Sequence, residues 1–429
     1  MAKILIKNGR VIDPASNVDG VRDVLIENGR VTAVKSRLTL RQSPAIDAKG
    51  MLVLPGLIDM HSHLRDPGRP DKETIFSGTR SAAMGGFTSI CCMANTSPVI
   101  DTPAAVKYVL SKAAEEGAVN VYPVAAITVG LKGEALAEMG LMREAGAIAF
   151  SDDGNPVADA GMMRKALEYA AQFGAPIISH CEEKGLAHGG SMNESALSTA
   201  IGLPGIPALS EEIMVARDIM LAEEFGLVHI AHVSSAKSVE LIRRAKRRGV
   251  KITCETCPHY FSLTEEAVRN YDTNAKVNPP LKSKKDVQAI IRGLKDGTID
   301  VIATDHAPHN IEEKNVEFNR AAFGMVGFET ALALALTNLA ETKALKLKNL
   351  VKKFTVVPAQ ILNLNKGTLK VGSDADVIIV DPKAEWTVDP AKFASKSKNS
   401  PFGGFKLNGK VLYTVVGGKV VVKNGKLLV

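Results

Sequence analysis

Between residues 55 and 365, short apolar runs alternate with longer segments of helical pattern, and few folds accept that rhythm. The runs fall at 57–63, 87–94, 119–127, 147–151, 176–180, 228–233, 251–257 and 300–304, with amphipathic segments such as 104–116 and 210–225 between them. Alternation of this length predicts a parallel sheet, because each crossover needs a helix-length connection. About eight such units predict an α/β fold of the (β/α)8 TIM type, which takes ~250 residues. A doubly wound open sheet is the alternative, but no glycine-rich phosphate loop follows any of the runs. Gly85-Gly86 precedes one instead, as a helix stop does.

The two ends of the chain use a different vocabulary. Asn8-Gly9 and Asn28-Gly29 near the start, and Asn408-Gly409, Gly417-Gly418 and Asn424-Gly425 near the end, sit between β-prone runs. Such pairs are strong hairpin signals. Neither end alone has enough apolar residues for a core, so residues 1–54 and 366–429 are predicted to assemble one small β-sandwich. Residues 55–365 are then the inserted barrel.

Polar residues collect at one end of the predicted strands. His61 and His63 close the first run, Asn95 the second, Asp152-Asp153 the fourth and His180 the fifth. His232, His259 and Asp305-His306 close the last three. In a parallel barrel these ends share one mouth, where such proteins keep their chemistry. Strand alternation puts Asp59, His61 and His63 on one face. Four histidines (His61, His63, His180, His232) and two carboxylates (Asp153, Asp305) form an N/O donor set suited to zinc or another first-row divalent ion. They exceed what one catalytic zinc needs, which points to two adjacent ions. Water held there would be acidified into a hydroxide nucleophile, and a rim carboxylate could carry its proton to a leaving nitrogen.

At this point the residues resemble the amidohydrolase superfamily, and the longer phrases resemble bacterial class I dihydroorotases. The phrases are His63-Leu64-Arg65-Asp66-Pro67-Gly68, Phe150-Ser151-Asp152-Asp153-Gly154, His180-Cys181-Glu182, Asn278-Pro279-Pro280-Leu281 and 303–309, Ala-Thr-Asp-His-Ala-Pro-His. The likeness runs over nearly the whole chain, including Gly372-Ser373-Asp374-Ala375-Asp376. It implies reversible closure of N-carbamoyl-L-aspartate to L-dihydroorotate in pyrimidine (UMP) synthesis, by metal-bound hydroxide attack on the cyclic amide in the hydrolytic direction. It also implies one or two zinc ions per chain: His61, His63 and Asp305 would hold one, His180 and His232 the second, with Asp153 bridging and Asp305 shuttling the proton. Arg65, Asn95 and His309 would take the substrate carboxylate alongside His63, and Asn278 with the backbone around Phe323-Gly324 the ring amides. Segments 66–70 and 153–159 would be mobile rim loops. A homo-oligomer and association with aspartate transcarbamoylase are further implications. The family's Met-Pro-Asn-Thr is Met93-Ala94-Asn95-Thr96 here, which keeps Asn95.

Two rivals share the fold. Hydantoinases, dihydropyrimidinases and allantoinases use a lysine at the fourth strand end, where 147–153 (Ala-Ile-Ala-Phe-Ser-Asp-Asp) has none. A catalytically silent scaffold for the transcarbamoylase would lose ligands, and here each position is filled.

Composition narrows the partners. The 429 residues are 45% hydrophobic and 23% charged, an ordinary globular balance. No apolar run reaches the ~18 residues of a membrane span, and the N-terminus meets charge too early for a secretory signal. Five cysteines without a scaffold pattern fit a reducing compartment, so a soluble cytoplasmic protein is expected. The net charge of +7 favours anionic ligands, while the basic run 243–248 reads as the solvated end of a helix rather than a nucleic-acid surface. Asp59 is either a support for the ligands or a buried cap. His229, His259 and Cys254-x-x-Cys257 read as structural, His188 as solvated, and Asp152 as a loop support.

Overall fold

The computed structural model describes residues 3–39 and 45–429. Residues 1–2 and 40–44 of the expected terminal domain lie outside the described residues.

All eight predicted runs form strands: β1 (Leu57–Ser62), β2 (Phe87–Cys92), β3 (Asn120–Ala125), β4 (Ala149–Phe150), β5 (Ile177–Ser179), β6 (Val228–Ile230), β7 (Ile252–Thr256) and β8 (Val301–Ile302). They pair in parallel, each with its neighbour in sequence. The ring closes where Ser62 bridges His306 in parallel and His63 N–H donates to His306 O at 2.8 Å. These strands are buried on both faces, which is why they read as near-continuous apolar runs rather than as alternating ones.

Helices surround the barrel and carry ordinary stop and start signals. Thr74 and Ser77 form a capping box at the start of helix Ile75–Met84, and Gly85 ends it. Ser283 and Asp286 do the same for helix Lys284–Asp296. The basic run ends helix Ala236–Arg247, as expected. Arg243 pairs with Asp296 and Glu240, Arg244 with Glu240, Lys246 with Asp300, and Arg248 with Glu223. No helix among the described residues is long and apolar enough to cross a membrane.

Among the described residues, strands from both termini join in a separate nine-stranded sheet. The join is direct: Leu52–Pro55 runs antiparallel to Val377–Val380. Alternation then buries both faces. Leu52, Leu54, Ile378 and Val380 pack into the core shared with the barrel, while Val53, Val377 and Ile379 pack into the sheet's own cluster with Ile6, Val24 and Val415.

Two of the predicted turns are not turns. Strand Lys3–Asp13 runs straight through Asn8-Gly9, and strand Lys406–Val416 through Asn408-Gly409. At the first, the pairing register shifts between Ile6 and Gly9, so the left-handed Asn8 (φ 63°) makes a bulge rather than a reversal. Asn8 N–H donates to Asp23, and Gly9 passes so close to Val53 that an added Cβ would lie 2.4 Å from its Cγ2. Asn28-Gly29, Gly417-Gly418 and Asn424-Gly425 do reverse the chain with both residues at positive φ.

Candidate metal centre

The structure brings together all six residues expected to hold metal. His61 lies in β1 and His63 directly after it; Asp153, His180, His232 and Asp305 follow the ends of β4, β5, β6 and β8. Two sets of three, His61/His63/Asp305 and His61/Asp153/His232, offer ligand atoms that all lie within 4.8 Å of one another. Asp305 Oδ1 lies 3.1 Å from His63 Nε2 and 3.6 Å from His61 Nε2. Asp153 sits between the two halves. Its Oδ1 is 3.4 Å from His61 Nε2, 3.4 Å from His180 Nδ1 and 3.6 Å from His232 Nε2, and its Oδ2 is 3.5 Å from His63 Nε2.

These atoms suit a cation better than they suit one another. His61 Nε2 and Asp153 Oδ1 are buried with no hydrogen-bond partner, which is costly unless something else satisfies them. His180 Nδ1 and His232 Nε2 face each other at 2.8 Å. Burial alone would lower the His61 pKa, yet the carboxylates of Asp153 and Glu255 more than offset it and raise it well above its ordinary value. For His180, burial is outweighed by Asp153 and Glu182, which push the pKa up to about 9. Burial likewise works against the Asp153 carboxylate, but His61, His180 and His232 hold its pKa well below the usual carboxylate range. The field at the centre therefore calls for positive charge, and the donor set fits a divalent metal.

The backbone is bent to deliver the ligands. His232 (φ 34°), Asp305 (φ 47°) and Arg65 (φ 56°) are left-handed without being glycine, a cost of about 1–3 kcal/mol each that surrounding bonds must sustain. Asp59 supplies part of that support. It is fully buried and accepts from Thr304 N–H at 3.0 Å and His61 N–H at 3.2 Å, tying β1 to the end of β8. Burial pushes its carboxyl up to about 7. Asp152 supports its loop as expected, accepting from the backbone of Ile127 and Thr128.

Several of the expected substrate residues touch one another or the ligands. Asn95 Oδ1 lies 2.9 Å from His63 Nδ1, and Asn95 Nδ2 donates to Asp153 O at 3.3 Å. Arg65 Nη2 is 3.4 Å from His309 Nε2. His309 Nε2 also sits 2.8 Å from Phe323 O, and its Nδ1 2.7 Å from Glu313 Oε2. Gly324 N–H is occupied by Lys276 O at 2.8 Å, so it already has a partner within the protein. Asn278 Nδ2 donates to Glu182 Oε1 at 2.9 Å. The rim loops are tied to neighbouring segments: Arg69 pairs with Asp71 and Glu313, Lys184 Nζ donates to Gly154 O, and Arg217 Nη1 to Val157 O.

One residue at the centre escaped the sequence reading. Glu255 in β7 is fully buried and accepts from His61 Nδ1 at 2.7 Å, with its other oxygen 3.2 Å from His229 Nε2. Burial opposes its charge, but His61 and His229 hold its pKa down at about 2. Its signal was present: a carboxylate inside a strand buried on both faces must have a charged partner. His229, read as structural, belongs to this second layer and also bonds Thr253 through Nδ1 at 2.8 Å. His259 is buried with Nε2 unpartnered, its pKa lowered to about 4 by burial. Cys254 and Cys257 are buried free thiols whose pKa values burial raises, in keeping with a structural reading. His188 is exposed.

A barrel mouth that gathers imidazoles and carboxylates in this order is that of an amidohydrolase, a class of metal-dependent hydrolases, and residues 223–422 match the amidohydrolase family. Residues 50–238 match the dihydro-orotase-like family. The chain is 58% identical to the dihydroorotase of Acetivibrio thermocellus, across 99% of this chain and 100% of that protein. It is 55% identical to the dihydroorotase of Syntrophus aciditrophicus, across 98% and 99%. It belongs to the dihydroorotase family. Among solved structures, the L-hydantoinase of Arthrobacter aurescens superposes with a TM-score of 0.90 at 28% identity, covering 100% of this chain and 98% of that one. The dihydropyrimidinase of Brevibacillus agri superposes with a TM-score of 0.87 at 25% identity, covering 99% and 96%.

Proposed function

We infer that the chain is a dihydroorotase, interconverting N-carbamoyl-L-aspartate and L-dihydroorotate in pyrimidine synthesis. The observation that carries this is similarity to curated dihydroorotases along the full length of the chain. In our reading the metal would be zinc, one or two ions per chain; His61, His63 and Asp305 would hold one and His180 and His232 the other, with Asp153 available to both. Bound metal supplies Lewis acidity toward the ring carbonyl and lowers the pKa of water. The remaining work falls to side chains. Arg65, Asn95 and His309 hold the substrate carboxylate, Arg65 through its planar fork. His63 and Asn278, with the backbone at Phe323-Gly324, orient the ring. Asp305 accepts a proton from the attacking water and returns it to the ring nitrogen as the amide bond breaks.

The barrel over 55–365 carries all of these residues, and residues 1–54 with 366–429 make the second domain. The absence of a lysine between Ala149 and Asp153 weighs against a hydantoinase-type activity despite the shared fold. Buried free thiols at all five cysteines support a cytoplasmic setting. Self-association and docking on aspartate transcarbamoylase rest on the family resemblance.

The test is turnover of dihydroorotate, hydantoin and allantoin by the purified, zinc-supplemented chain, with metal counted per chain. Turnover of dihydroorotate alone is expected. Preference for hydantoin would overturn the substrate assignment, and activity that appears only with added transcarbamoylase would mean the site is incomplete alone.

A further inference from the structure

Two of the proposed substrate contacts, His309 and Phe323-Gly324, stand on separate segments after β8. A substrate that touches both needs their spacing fixed. From within the barrel, two buried lysines hold the second segment. Lys276 Nζ donates to Phe318 O at 2.8 Å and Asn319 O at 3.0 Å, and lies 4.4 Å from the centre of the Phe323 ring. Lys314 Nζ donates to Thr273 O at 2.9 Å and Ala322 O at 2.7 Å. The two segments also meet directly: His309 Nε2 lies 2.8 Å from Phe323 O, and Ala307 N–H donates to Met325 O at 2.8 Å.

A further link comes from outside the barrel. Between strands Val377–Thr387 and Lys406–Val416 of the terminal sheet, the chain leaves that sheet and crosses to the rim. There Ser397 Oγ donates to Lys72 O at 2.6 Å, and Lys396 N–H donates to Glu73 Oε1 at 3.2 Å. Asn399 follows, 5% exposed. Its Nδ2 donates to Ala307 O and to Gly324 O, both at 3.1 Å. Its Oδ1 accepts from His309 N–H at 3.1 Å, and its own carbonyl accepts from Val326 N–H at 2.9 Å. One amide side chain thus spends both donor hydrogens and its acceptor on the two segments at once. The segments are as close as glycine allows: at Gly324 (φ 133°) an added Cβ would lie 2.7 Å from Ala307 Cβ and 3.2 Å from His309 Cδ2.

We infer that Asn399, supplied by the terminal domain, is a positioning residue that fixes His309 against Phe323-Gly324 and so sets the pocket for the substrate's carboxylate and ring amide. The inference rests on the proposed dihydroorotase reading. A side chain that only held the strap to the barrel would need one of these bonds; this one joins the two substrate-contacting segments to each other.

The experiment is steady-state kinetics on dihydroorotate with metal content and Tm measured for wild type, Asn399→Ala, Asn399→Asp and the strap control Ser397→Ala. For Asn399→Ala we expect KM to rise about tenfold or more with kcat within about threefold and metal per chain unchanged, the pattern of lost ground-state binding. Asn399→Asp keeps size and the bond from His309 N–H but turns a carboxylate oxygen toward two carbonyls; the same rise in KM is expected, and it carries the test if the alanine variant does not accumulate. Ser397→Ala should leave KM unchanged. Wild-type KM in both Asn399 variants, or an equal rise in Ser397→Ala, would overturn the role of Asn399. Absence of dihydroorotate turnover in the wild type would instead overturn the proposed function.

Discussion

Glu255→Gln isolates the outer layer of the metal centre. The carboxylate lies 2.7 Å from His61 Nδ1 with no solvent exposure. It keeps the proton on Nδ1 and leaves Nε2, the unpartnered nitrogen, free to face the metal. His61 belongs to both ligand sets, so loosening it weakens the hold on metal. Glutamine preserves shape and one hydrogen-bonding oxygen, which separates the loss of charge from the loss of packing. Such supporting carboxylates are worth about 10–100-fold in metal affinity, or about 1.4–2.8 kcal/mol. The assay is zinc competition against a chelator of known affinity, read as zinc retained per chain, together with kcat at saturating zinc. Retention should fall by that factor, while excess zinc restores most of the turnover. Zinc affinity equal to wild type would refute the claim that Glu255 acts through His61. A fall in Tm with unchanged affinity would reduce it to a buried structural acid.

Three further outcomes follow from the same geometry. Asp305→Asn should lower kcat about 100- to 10,000-fold, the range for removal of a proton carrier, as read by dihydroorotate hydrolysis with metal content measured alongside; near-normal kcat would remove Asp305 from proton transfer. Arg65→Met should raise KM about 10–100-fold through lost charge-assisted bonds and leave bound metal unchanged, as checked by kinetics and metal analysis. Glu329 bonds Ser81 Oγ and the N–H groups of Ala394 and Ser395, and burial pushes its carboxyl up to about 7 from an ordinary 4.5. Because the folded state then holds a proton that the unfolded state releases, this group's contribution is full below pH 4.5 and is lost as pH rises through about 7. Glu329 borders a cleft of about 340 Å³, so solvent screening trims the full shift to about 1–2 kcal/mol. Urea denaturation of Glu329→Gln between pH 5 and 8 should show a correspondingly flatter pH dependence than wild type.

What the sequence disclosed and what it withheld divide along a physical line. Strand ends were legible because burial on both faces makes each barrel strand a continuous apolar run, and a histidine or aspartate that stops such a run marks the mouth. His61, Asp153, His180, His232 and Asp305 all announced themselves in this way. Glu255 did not end a run; it sat inside one, between Cys254 and Cys257. Asn-Gly pairs expose the opposite limit. The left-handed backbone they favour serves a reversal at Asn28-Gly29 and a bulge at Asn8-Gly9, and only the partner strand's path decides between them.

Asn399 marks the furthest reach of this limit. The strap Ser395-Lys396-Ser397-Lys398-Asn399-Ser400 has the composition of any polar loop. What distinguishes its asparagine is a pair of backbone segments reaching it across 90 and 75 residues of sequence. Local pattern can state what a side chain is able to bond, but which groups come to meet it is set by the path of the chain. A site assembled from strand ends inherits the barrel's regularity and can be read in advance. A site finished by a neighbouring domain can be read only once both domains are in place. Loss of activity on trimming the terminal sheet would therefore not by itself distinguish unfolding from an unfinished pocket. The KM of Asn399→Ala at unchanged metal content does distinguish them.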